Sequence, residues 1–149
     1  MLSFRHVPAE SLASVWPTVY DGLRQIMVKS KHRTDWVPED IVHNLLERRA
    51  QLYFGYIDDE PRGFFILELI LYPVRYLNIQ ALYAKGEDSN HAGVLGFRDE
   101  AIDCVDRIAQ AVGVERIRIM GREGWERVLK GKFSVKHVVY ERTIERNVT

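Results

Sequence analysis

Apolar and polar positions along this chain repeat with two periods, and the switches between them mark its elements. Residues 3–7, Ser3-Phe4-Arg5-His6-Val7, alternate in steps of two and predict a short first strand. Pro8-Ala9-Glu10-Ser11 then supplies a helix start, with an acidic residue near the positive end of the helix dipole. Leu12, Val15, Trp16, Val19, Leu23, Ile26 and Met27 recur at helical spacing. Pro17 falls inside that pattern and removes a backbone donor, so either a kink or a second helical piece beginning at Pro17 is expected. Residues 29–35 are polar and read as a loop. Val37-Pro38-Glu39-Asp40 opens another helix, with Ile41, Leu45 and Leu46 on one face and Arg48-Arg49 near its negative end.

After that helix the period becomes two. Residues 51–57 predict a strand, 58–63 a turn, and 63–72 a long buried strand. Pro73-Val74 marks the next turn. Residues 75–84 complete an antiparallel meander, with Leu77, Ile79 and Ala81 expected on one side and Asn78, Gln80 and Leu82 on the other. A polar loop, 85–91, leads into a helix carried by Val94, Phe97, Ala101, Ile102, Val105, Ile108, Ala109 and Val112 and closed by Gly113. Ile117, Ile119 and Met120 predict a further strand, residues 121–129 a turn and short helix, and 133–143 a last strand. The order is β-α-α-β-β-β-α-β-α-β. It describes an α+β, three-layer fold around a mixed central sheet. No linker or repeat divides it, so residues 1–149 are read as one domain.

Composition narrows the function classes. A chain of 149 residues, 46% hydrophobic, buries roughly two thirds of its unfolded surface and needs no disulfide or structural metal to hold a core. Its single cysteine, Cys104, reads as a small core residue and suits a reducing compartment. Lys plus Arg balance Asp plus Glu at 21 each, which removes the usual electrostatic argument for nucleic acid or an anionic membrane surface. The most apolar stretch, residues 64–71, is interrupted by Glu68 and stopped by Pro73, well short of the roughly 20 residues that span a bilayer. No signal peptide is recognisable, and a cytoplasmic protein is expected. His6, His32, His43, His91 and His137 lack metal-ligand spacing, so no metal site is expected.

Four stretches carry a more specific likeness: residues 40–53; Glu68-Leu69-Ile70-Leu71-Tyr72-Pro73-Val74-Arg75; Lys85-Gly86-Glu87-Asp88; and Gly121-Arg122-Glu123-Gly124-Trp125-Glu126-Arg127-Val128-Leu129 followed by Tyr140-Glu141-Arg142. With the order of elements, they make the chain resemble the GCN5-related N-acetyltransferase (GNAT) fold, in particular its members encoded by bacteriophages and prophages. The resemblance implies acetyl-CoA or a related acyl-CoA as cofactor and an amine as acceptor. It also implies an arm-binding strand whose backbone groups would belong to Leu82, Tyr83 and Ala84.

A phosphate-binding loop would fall on residues 85–96, with Gly86, His91 and Gly93 as candidate contacts and Arg122 as a candidate phosphate partner. That loop departs from the family pattern. Its glycines are too widely spaced, no Gln or Arg heads it, and Glu87-Asp88 place negative charge where a pyrophosphate would sit; Asp88 or Ser89 also reads as a helix cap. The position of the family's general-acid tyrosine falls near Val128, leaving Tyr140 or Tyr83 as replacements.

Glu68 is the candidate general base, because a carboxylate on a central strand could deprotonate an amine; it equally reads as a surface residue or a partner of Arg75 or Arg62. Asn78 and Gln80 would line the same cleft. Two functions follow: an acetyl-CoA-dependent N-acyltransferase with a degenerate cofactor loop, or a non-catalytic scaffold serving as a phage structural, assembly or host-interaction factor. The second would bring a homodimer or a phage or host protein as partner, and association with the virion.

Overall fold

The computed structural model describes residues 2–29, 36–85, 91–119, 131, 133, 134 and 142. Strand β1 (Leu2–Val7) passes through a single 3-10 turn, Ala9–Ser11, into α1 (Leu12–Lys29), and α2 (Pro38–Leu46) follows. The meander is β2 (Ala50–Ile57), β3 (Glu60–Ile70) and β4 (Tyr76–Ala84). Helix α3 (His91–Val112) then leads to β5 (Ile117–Ile119). The sheet runs β1-β2-β3-β4-β5, antiparallel up to β4 and parallel between β4 and β5. The expected mixed α+β sheet is therefore present. The short helix expected over 121–129 lies outside the described residues, and so does the final strand expected over 133–143, apart from residues 133, 134 and 142.

Helices cover the sheet on both faces. Phe65, Leu67, Leu77, Ile79, Leu82 and Ala84 pack beneath Phe97, Ala101, Val105 and Ala109 of α3. On the other face Leu52, Phe54, Phe64, Ile66 and Ala81 pack beneath Leu12, Val19 and Leu23 of α1 and Ile41 and Leu45 of α2. A pair of glycines fixes the seat of α3. Gly55 and Gly63 are register partners on β2 and β3. A Cβ at Gly55 would stand 2.6 Å from the Phe97 ring, and one at Gly63 would overlap the Tyr83 carbonyl oxygen. The missing side chains form a notch that Phe97 fills.

The C-termini of α3 and α2 close in the same way. After α3, Val114 N–H reaches the Ala109 carbonyl at 3.0 Å, and Gly113 takes a left-handed φ of 76°. After α2, Arg49 N–H reaches the Asn44 carbonyl at 2.9 Å, but the left-handed residue is Arg48, with φ 60°. The Arg48 guanidinium meets Glu10 at 2.7 Å, tying this corner to the turn before α1. Among the described residues no helix is long and apolar enough to cross a membrane, and no group of three or more potential metal-ligating side chains converges.

Several expectations are corrected. Helix α1 runs through Pro17 as one element, so no second piece begins there; its buried stripe of Leu12, Val19 and Leu23 spans the proline and holds both sides to one sheet face. Leu46 is 56% exposed, because α2 turns its buried side toward Ile41 and Leu45 only. The β2–β3 connection has just two residues, Asp58 and Asp59, both with positive φ, the geometry that matches strand twist in a tight hairpin. His91 is the first residue of α3 rather than part of the loop before it.

The alternation on β4 also breaks. Ile79 pairs with Leu67 and Ala81 with Ile66, so Gln80 is an extra residue in a β-bulge. Leu77, Ile79 and Leu82 face α3, and Ala81 faces the opposite way. Leu82 and Ala81 thus lie on the sides opposite to those a strict period of two assigns, because one inserted residue inverts every position after it.

Candidate active site

The sheet face beneath α1 and α2 is apolar in its middle and polar toward both ends of β4. At the beginning of β4, register aligns Ala50 of β2, Glu68 of β3, Asn78 of β4 and Arg118 of β5 in one row across the sheet. Asn78 Nδ2 donates to Glu68 Oε1 at 2.9 Å, with both residues half-buried. The partner of Glu68 is therefore this neutral amide, in place of the Arg75 or Arg62 that sequence proximity suggests; Arg62 meets Glu60 at 3.5 Å. Arg118 lays its guanidinium over the Tyr76 ring, 4.2 Å from the centroid. Among the described residues the Glu68 carboxylate is held by this one amide through Oε1, which leaves its second oxygen, Oε2, as the atom with which to take a proton.

Nearer the end of β4, Tyr83 stacks on Phe64 at 5.4 Å between ring centroids. Its hydroxyl donates to Gln25 Oε1 of α1 at 3.1 Å, and Gln25 Nε2 donates to Asp21 Oδ2 at 2.9 Å. Gly22 permits this approach, since a Cβ there would lie 2.5 Å from the Phe64 ring and 3.0 Å from Tyr83. Periodicity could not find Gln25 or Asp21. The single signal was a glycine in mid-helix, which costs helix stability and marks a close contact.

Between these two groups lies the bulge. Gln80 Oε1 is fully enclosed and has no hydrogen-bond partner among the described residues. Beyond Ile79, β4 is paired on its β3 side only, among the described residues. Leu82 and Ala84 bury their side chains under α3, so only their backbone groups remain for a ligand. Gly86, Arg122 and Tyr140 lie outside the described residues, as do Glu87, Asp88 and Ser89; His91 and Gly93 belong to the first turn of α3. Of the residues singled out as catalytic or cofactor-binding, Glu68, Leu82, Tyr83 and Ala84 are thus on two adjacent strands.

A cavity of about 170 Å³ opens elsewhere, between the end of β1 and the start of β2, lined by residues including His6, Leu45, Gln51, Glu10 and Arg48. The two opposite charges at its rim are committed to each other, both largely exposed to water. The half-buried polar row and the enclosed Gln80 offer more to a ligand than this rim.

Comparison with solved structures identifies the architecture. A predicted acetyltransferase from Clostridium acetobutylicum, solved with acetyl-CoA, superposes with a TM-score of 0.70 at 10% identity over 96% of each chain. The ribosomal-protein-alanine N-acetyltransferase of Brucella melitensis biovar Abortus 2308 gives 0.65 at 12% identity, covering 99% of this chain and 100% of its own. The AAC(6')-Iy structure, in complex with the bisubstrate analogue CoA-S-monomethyl-acetylneamine, gives 0.66 at 13% identity, covering 97% and 99%. By sequence, no family model matches the chain and no curated protein matches it. At these identities the likeness establishes the fold, that of the GNAT acetyltransferases.

Proposed function

We propose that this protein is an acetyl-CoA-dependent N-acetyltransferase acting on an amine, with Glu68 as general base. The observation that carries the reading is the half-buried Glu68–Asn78 pair on the β3–β4 face of a GNAT fold. One feature of β4 suits the CoA arm: the backbone groups of Leu82, Tyr83 and Ala84 beside the last stretch of the strand. Acetyl-CoA, when bound, supplies an acetyl group activated as a thioester. Asn78 holds the Glu68 carboxylate in place through Oε1, and Oε2 takes the proton from the incoming ammonium, which frees the nitrogen lone pair. Orientation of the amine beside that carboxylate contributes the remaining advantage.

The neighbouring structures include an aminoglycoside acetyltransferase from an uncultured soil metagenomic sample in complex with sisomicin; a cationic amine is the corresponding acceptor class here. The finer likeness to phage- and prophage-encoded members rests mainly on Gly121-Arg122-Glu123-Gly124-Trp125-Glu126-Arg127-Val128-Leu129, outside the described residues, and is part of the proposal.

Thermal unfolding with CoA and acetyl-CoA tests the reading. A ligand at a hundred times its dissociation constant adds about 2.7 kcal/mol, which raises the melting temperature by several degrees in a domain of this size. An unchanged melting temperature at millimolar acetyl-CoA would sink it.

A further inference from the structure

We infer that Gln80 is a ligand-recognition residue: its enclosed side-chain carbonyl is held ready to accept a hydrogen bond from an N–H of the bound ligand. The inference rests on the acetyltransferase reading and adds to it a residue and a chemistry. Three observations meet at this position. The Oε1 atom is shut away from solvent with no partner among the described residues. A buried acceptor in that state is destabilising, and native proteins leave few of them, so each one asks for a reason. Gln80 is also the inserted residue of the β4 bulge, the one position of the strand without a register partner on β3. Bulges of this kind redirect a side chain and gather near active sites.

The third observation is place. Along β4, Gln80 stands two residues after Asn78, which orients Glu68, and two before Leu82, the first of the backbone positions proposed for the arm. At about 3.3 Å per residue that puts it within roughly 7 Å of each along the strand. A group there stands between the carboxylate that receives the proton and the stretch that lies along the cofactor. The missing partner is therefore a donor. Two parts of the reacting pair carry N–H groups, the amides of the CoA arm and the amine to be acetylated, and both fit the same acceptor.

Gln80→Met, which preserves length and removes both polar atoms, tests the inference in three measurements. In the free protein the variant should melt a few degrees higher than wild type, because the unpaired acceptor is gone. Titration with CoA and with 3′,5′-ADP, which has no amide arm, then separates the sources. A weakening of about fivefold to tenfold for CoA with 3′,5′-ADP unchanged assigns the hydrogen bond to the arm. Unchanged CoA binding with a raised KM and preserved kcat for sisomicin or spermidine, at saturating acetyl-CoA, assigns it to the amine.

A variant that melts lower than wild type, or that matches wild type in CoA affinity and in the kinetics of both amines, overturns the inference. Failure of wild type itself to bind CoA is a different result. It removes the acetyltransferase reading and this one with it.

Discussion

The two faces of the sheet are built from the same strands and used differently. Beneath α3 the buried positions of β3 and β4 are apolar: Phe65, Leu67, Leu77, Ile79, Leu82 and Ala84. Two partly buried titratable groups, Tyr53 and Cys104, pack against this cluster and interact with each other. Beneath α1 and α2 the apolar centre gives way on one side to Glu68, Asn78 and Arg118, and on the other to Tyr83 bonded through Gln25 to Asp21. An apolar face contributes stability roughly in proportion to the area it buries. A face carrying half-buried polar groups gives up part of that contribution, and such groups are concentrated where chemistry is done. The α3 face is accordingly the mechanical half of the molecule, and the α1/α2 face is the half to which the proposed chemistry belongs.

The largest effect that would break this division is on the α3 side. Gly63→Ala places a methyl group against the Tyr83 carbonyl oxygen and 2.7 Å from the Phe97 ring. Phe97 must leave its notch or β3 must part from β4. A loss of about 3 kcal/mol or more is expected, comparable to the worst core substitutions. Chemical denaturation reads it directly. A loss below about 1 kcal/mol would mean that α3 is not seated by the glycine pair.

Glu68→Gln asks the opposite question of the opposite face. The amide keeps the size of the side chain and an oxygen to accept from Asn78, but it cannot take a proton. Acetyl transfer should fall by about a hundredfold to ten-thousandfold, while stability changes by no more than about 1 kcal/mol for a group that is half-buried and already paired to a neutral partner. Steady-state kinetics with sisomicin or spermidine and denaturation of the same preparation give both numbers. Full activity in the variant would remove Glu68 as the base.

The two faces were also unequally legible in the sequence. The α3 face could be read almost residue by residue. Phe97, Ala101, Val105 and Ala109 recur at helical spacing, Gly113 ends the helix where a left-handed residue is needed, and the strands beneath alternate up to the β4 bulge, past which Leu82 falls on this face against expectation. The α1/α2 face could be read only in outline. Glu68 stood out as a charge in an apolar run, but its partner depends on the register that sets it opposite Asn78, ten residues away across a turn. The bulge at Gln80 was hidden for the same reason. One extra residue on β4 leaves the composition of the strand unchanged and reverses the direction of Ala81 and Leu82, which only the pairing with Ile66 and Leu67 reveals. Asp58-Asp59 was a turn signal of the right kind in the right place, yet its tightness, two residues with positive φ, belongs to the hairpin it closes.

The smallest expected effect sharpens the contrast through pH. Burial pushes the Cys104 thiol up from its ordinary 9.0, partly countered by Arg107, and pushes the Tyr53 phenol up from 10.0, with the adjacent Cys104 adding to the shift. In each case the folded protein holds a proton that the unfolded chain has begun to release. Between the ordinary and the raised value the native state binds more protons, so stability falls as pH rises. The contribution is fully present below 9.0 and declines from there, first through Cys104 and then, from 10.0, through Tyr53. Urea midpoints measured from about pH 8 to 10.5 should therefore drift downward. The slope should flatten in the Cys104→Ala, Tyr53→Phe double variant and be untouched by Glu68→Gln. If the double variant kept the wild-type slope, the alkaline loss would originate elsewhere, and the margin of the α3 face would not be the charge-excluding surface that its packing implies.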